Sequence, residues 1–162
     1  EENAKVTQRY REVAQTASQL KQEREELTEK VTLAAKLDAV GIVVTPIDSR
    51  GKTAKKIKKT DKIKITFSIA KNVTAEVGEK YIYARIVKPD GDVLVKDRAD
   101  VFPFEDREIN YSCRKLIEYT GEELNDVTMY WAVEEFLYPG EYRVDIFADN
   151  YMIGTRSFTL KQ

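Results

Sequence analysis

Histidine is absent from this chain of 162 residues, cysteine and tryptophan occur once each, and only four prolines interrupt it. Without histidine there is no ordinary general base for a Ser or Cys hydrolase, no commonest zinc ligand and no side chain that ordinarily changes charge near neutral pH. A lone cysteine, Cys113, excludes a disulfide within the chain. It stands in the period-two apolar pattern Ile109, Tyr111, Cys113, so it reads as a small buried hydrophobe and not as a nucleophile. The missing disulfide suits a cytoplasmic protein, and equally a bacterial exported one whose core is large enough to need no staple. No run approaches the roughly 20 apolar residues of a membrane span. Net charge is lacking too: 27 basic against 28 acidic side chains leave −1, whereas a general nucleic-acid binder is basic overall. No specific nucleic-acid partner, metal or cofactor is therefore expected. Asp90 and Asp92 around Gly91 imitate a calcium loop only locally, without its full spacing or its later Glu.

What is present is apolar material, 42% of the residues, enough for one ordinary core and one extended appendage. The appendage is predicted at the start. Residues 3–38 hold no Gly or Pro and set Val6, Tyr10, Val13, Ala17, Leu20, Leu27, Val31 and Ala34 on a heptad seam, with Asn3 and Arg24 at polar a positions. The spacing predicts a long amphipathic helix over residues 1–38. Two partners suit such a seam. One is a second copy of the chain, most simply a parallel homodimeric stalk joined through Val6, Tyr10, Val13, Leu20, Arg24, Leu27 and Val31. The other is the chain's own globular part. Because the sequence starts at Glu1 inside this pattern, a trimmed chain is expected, with room upstream for a signal peptide or membrane anchor.

From residue 39 onward the period changes to two. Strands are predicted near 42–47, 62–70, 80–88, 92–96, 108–119, 126–134, 141–149 and 152–161, with Gly41 ending the helix or opening the first strand. In the last pair Tyr142, Val144, Ile146 and Ala148 face one way and Arg143 and Asp145 the other. Asp149-Asn150 supplies the turn, and Gly154 leaves room for a bulge or a close neighbour. Val127, Met129, Trp131 and Val133 share a face, which puts the only Trp in the core. Asn72-Val73-Thr74 and Asn110-Tyr111-Ser112 match the glycosylation tripeptide, too short a pattern to carry weight.

Charge is segregated along the chain. Arg50, Lys52, Lys55, Lys56, Lys58, Lys59, Lys62 and Lys64 face a single acid, Asp61, while nine acids against three bases lie between Val101 and Glu135. The basic segment has two readings: a solvated loop leading to an edge strand that its lysines guard against pairing, or an anion-binding patch made of Arg50, Lys52, Lys55, Lys56, Lys58 and Lys59. No aromatic residue is interleaved with these charges, as a single-stranded nucleic-acid groove would require. The many carboxylates show no spacing that singles out a glycosidase pair.

The ending Tyr138-Pro139-Gly140-Glu141-Tyr142-Arg143-Val144-Asp145-Ile146-Phe147, followed by Ile153-Gly154 and Ser157-Phe158-Thr159-Leu160, resembles the last hairpin of bacterial immunoglobulin-like domains. With the helical pattern before it, the chain is similar to uncharacterised exported or membrane-tethered proteins of Bacteroidetes-type bacteria, which place a helix before such a sandwich. The resemblance implies a mainly β immunoglobulin-like sandwich of seven or eight strands over 39–162, without the antibody disulfide. It also implies a cell-envelope address, periplasmic or membrane-tethered, with the cytoplasm left open, and a membrane link only through an upstream anchor. It brings no catalytic or ligand residue. The expected function is a non-enzymatic structural or protein-interaction module, a helical stalk presenting a sandwich. The alternative is a binding module for an anionic surface or glycan through residues 50–64. An enzyme working with carboxylates comes third.

Overall fold

The structure, a computed structural model, describes residues 35–162. Within them lie strands β1 (Ala39–Ile47), β2 (Lys62–Ile69), β3 (Gly78–Val87), β4 (Val101–Phe104), β5 (Arg107–Asn110), β6 (Cys113–Tyr119), β7 (Leu124–Ala132), β8 (Gly140–Ala148) and β9 (Tyr151–Leu160). Seven of these form two antiparallel sheets, ordered β1-β2-β7 and β6-β3-β8-β9, and β4-β5 is a separate hairpin. The described residues are mainly β, as the period-two patterns require.

The sandwich follows from alternation. Ile63, Ile65, Phe67 and Ile69 of β2 are buried beside Val127, Met129 and Trp131 of β7, and they meet Ile82, Ala84 and Ile86 of β3 and Val144 and Ile146 of β8 in one core. Burying each such side chain contributes about 1.5–3 kcal/mol before entropy is counted. Trp131 lies fully inside, where the alternation placed it. At the entry to β8 the Tyr142 hydroxyl donates to the Tyr138 carbonyl at 2.7 Å. This bond ties the start of β8 to the turn before it.

The predicted long helix is corrected by what is described. Among residues 35–162 there is no α-helix, and the only helical turn is a 3-10 turn at Ile57–Lys59. Residues 36–38 are irregular and already tied to the sandwich: Leu37 is buried, and the Asp38 carbonyl accepts the Ala70 N–H at 3.0 Å. Gly41 ends no helix. It lies within β1 at φ 62, in a bulge between Val40 and Val43, a backbone shape that favours glycine. The rest of the predicted helix, with the seam residues Val6, Tyr10, Val13, Leu20, Arg24, Leu27 and Val31, lies outside the described residues.

Two strand predictions also change. The stretch 92–96 is no full strand, since only a bridge between Val87 and Val93 forms. Residues 108–119 break into β5 and β6 at Ser112. Its buried hydroxyl accepts the Ile86 N–H at 2.8 Å and donates to the Leu94 carbonyl, so a side chain replaces the backbone ladder there. The hairpin β4-β5 covers the outer face of the second sheet. Phe102 stacks on Tyr83 at 4.3 Å between ring centroids, and Phe104 meets Phe147 edge-on at 5.0 Å. This second small core explains why Phe147, on the side away from the main core, is buried as well. The Asp145 carboxylate is satisfied by Arg143 Nε at 3.0 Å and the Thr155 hydroxyl at 2.8 Å.

Candidate functional site

Residues 48–61 join β1 to β2 at the end of the sandwich where β3 and β7 also finish. Asp48 starts the loop: its Oδ1 accepts the N–H groups of Arg50 at 2.8 Å and Lys52 at 3.0 Å. These bonds, that of Lys52 foremost, hold the Asp48 carboxyl below its ordinary pKa. Ala54 is buried and its N–H donates to the Pro46 carbonyl at 2.8 Å, while Ile57 packs on the core and donates to the Lys161 carbonyl at 3.0 Å. The 3-10 turn follows, and Asp61 closes the loop by donating to the Ile47 carbonyl at 2.7 Å. The backbone and the few apolar side chains are thus fixed inward, which leaves the long cationic side chains to point outward.

The structure puts all six expected anion-binding side chains, Arg50, Lys52, Lys55, Lys56, Lys58 and Lys59, on the exposed surface of this loop. Among the described residues none of the six makes an ion pair with a carboxylate. Lys58 and Lys59 come together with Asp48, Ser49, Thr60 and Asp61 around an open recess of about 400 Å³. The edge-strand reading of the lysines fails, because β2 is the middle strand of its sheet and has no free edge to guard. Lys62 and Lys64 therefore extend the basic loop onto the outer face of that sheet.

Sequence alone missed the aromatic companion of these charges. Tyr130 of β7 is opposite Lys64 in the ladder, and its ring lies 5.8 Å from the Lys62 ammonium. The tyrosine is 49% exposed. Only the pairing of β2 with β7 makes these residues neighbours. The one usable signal was the parity of β7: with Trp131 inside, Tyr130 had to face out.

The remaining candidates are absorbed by structure. The Cys113 thiol is pushed up to about 12 by burial, far from a nucleophile's range. Asn72 Nδ2 donates to the Lys36 carbonyl at 2.9 Å, and Asn110 Nδ2 donates to the Arg98 carbonyl at 2.9 Å, so both glycosylation-like tripeptides have their amides engaged by backbone carbonyls distant in sequence. Among the described residues no three His, Cys, Asp or Glu side chains gather so as to hold a metal ion. The acidic side chains do not converge. Several are spent on single ion pairs, such as Asp149 with Lys80 at 2.6 Å and Glu135 with Lys88 at 3.2 Å.

Fold and loop together define a β-sandwich domain that carries a basic loop at one end. The chain belongs to the family described as Domain of unknown function (DUF8428), whose model matches residues 40–161. No curated protein matches it. Among solved structures, it is similar to a beta-glucosidase from Kluyveromyces marxianus at 13% identity and a TM-score of 0.46, covering 78% of this chain and 14% of that one. The same enzyme in complex with glucose gives 12% identity, a TM-score of 0.42 and the same coverage of 78% and 14%. An alkylpurine DNA glycosylase, AlkC, from Pseudomonas fluorescens, bound to DNA containing an abasic site analog, gives 14% identity and a TM-score of 0.44, covering 82% of this chain and 32% of that one. The chain thus spans between 14% and 32% of the length of these proteins. Likenesses at this level do not bear on what this chain binds.

Proposed function

We propose that this domain is a non-catalytic binding module that recognises an anionic surface through the loop 48–61 and the adjoining Lys62 and Lys64. One observation carries the reading: six cationic side chains are held outward by a loop whose backbone is pinned to the core, and none of them forms an ion pair with a carboxylate among the described residues. Holding like charges together costs free energy in the isolated domain, and an anionic partner relieves that cost. The side chains that maintain the fold, Ala54, Ile57 and Thr60, are different residues from those that carry the charge.

That division gives the test. In Lys55→Ser, Lys56→Ser, Lys58→Ser, Lys59→Ser the unfolding midpoint stays near that of the wild type, because exposed substitutions cost within about 0.5 kcal/mol each. Binding to heparin, a soluble polyanion, falls by at least tenfold. Unchanged binding by a folded quadruple variant would refute the proposal.

A further inference from the structure

The end of the sandwich that carries the lysine loop also carries an exposed apolar side chain. Phe136, in the turn between β7 and β8, is 83% exposed, against 49% for Tyr130 and 43% for Tyr81, the next most exposed aromatic side chains among the described residues. The residue after it, Leu137, is buried, so the turn is anchored while the ring of Phe136 is held in water. This turn and the lysine loop are joined directly, since the Val133 N–H donates to the Asp61 carbonyl at 2.9 Å. Phe136 stands three residues beyond one end of that bond, and Lys58 and Lys59 stand three and two residues before the other. Each is within about 11 Å of chain from it.

Two carboxylates, Glu134 and Glu135, precede the ring and would oppose an anionic partner. Both are drawn into ion pairs with the loop after β3: Glu135 with Lys88 at 3.2 Å and Glu134 with Lys96 at 3.9 Å. The same end of the sandwich thus presents lysines without an ion pair among the described residues and an exposed aromatic ring whose two neighbouring carboxylates are engaged by lysines, with Asp48 and Asp61 standing among the cations of the loop. A soluble polyanion satisfies the charges and leaves the ring in water. A bilayer with anionic headgroups satisfies both, since it offers negative charge at its surface and an apolar phase a few ångströms below.

We infer that this end of the domain docks peripherally on an anionic phospholipid membrane, with Lys55, Lys56, Lys58 and Lys59 in the headgroup layer and Phe136 entering the boundary with the acyl chains. No helix among the described residues is long and apolar enough to cross a membrane. The inference rests on the proposed anion-binding role of the lysine loop and names its target.

The test measures co-sedimentation of the chain with vesicles of phosphatidylcholine alone and of phosphatidylcholine with phosphatidylserine, alongside binding to heparin. The wild type binds the vesicles that contain phosphatidylserine and not the neutral ones. Phe136→Ala, whose exposed position leaves the fold intact, weakens vesicle binding by about tenfold or more, as expected for a lost buried ring. It leaves heparin binding unchanged. Each Lys→Ser change weakens vesicle binding by about fivefold. Vesicle binding that ignores Phe136→Ala, or heparin binding with no vesicle binding, overturns the membrane assignment and leaves the anion-binding reading standing. Failure to bind either ligand overturns both.

Discussion

Asp48 clamps the first turn of the basic loop. Its carboxylate accepts from two backbone N–H groups, those of Lys52 and Arg50, and so favours its ionised form in the folded state. The sign follows directly. A carboxyl whose folded pKa is depressed contributes stability that is fully present above its unfolded value and is lost as the pH falls through the folded one. The clamp is therefore intact at neutral pH and released only in acid. A carbon-13 titration of the Asp48 carboxyl should show a midpoint below 3.8. A midpoint at or above that value would mean that the turn is not clamped in solution. Much at this scale was readable in the sequence. The exposure of the six cations and the burial of Trp131 both follow from the rule that unpaired charge stays in water and from a period of two. Phe136 was not readable, because no periodicity governs a turn, and only the burial of Leu137 shows which of the two neighbours faces inward.

Among the elements, β9 depends on a single missing side chain. A Cβ at Gly154 would lie 2.7 Å from Ile42 Cδ1 and 3.0 Å from Ala39 Cβ, so β1 can close against β9 only because position 154 is glycine. Gly154→Ala should destabilise the domain by about 1–3 kcal/mol, the usual cost of overpacking. Adding Ile42→Val, which removes the nearest contacting atom, should recover part of that loss in a denaturant melt. A single variant as stable as the wild type would show that β1 does not close on β9 in this way. The strongly alternating strands β2, β3, β7 and β8 were legible within a few residues of their ends. The hairpin β4-β5 was not. Its turn residues Glu105 and Asp106 adopt φ values of 49 and 62 without any glycine, and neither residue type announces such a turn as Asn-Gly does. The failure of the edge-strand reading has a related cause: alternation says which side chains face outward but not whether a strand lies in the middle of its sheet.

At the scale of the whole molecule, a near-zero net charge conceals a strong separation of charge. The chain carries −1 overall, yet six cationic side chains are gathered in one loop at one end of the sandwich, with only Asp48 and Asp61 among them. The argument from net charge spoke only against a general nucleic-acid binder, and what the sequence could not show is that the pairing of β2 with β7 brings Tyr130 beside Lys62 and Lys64. The most direct measurement is the affinity of the intact chain for heparin as a function of salt. With about four phosphate-like charges neutralised, affinity should fall on the order of a hundredfold between about 50 and 200 mM salt, linearly on logarithmic axes. An affinity that stays flat over that range, or that falls equally steeply in the quadruple lysine variant, would contradict the assignment of the loop as the binding surface.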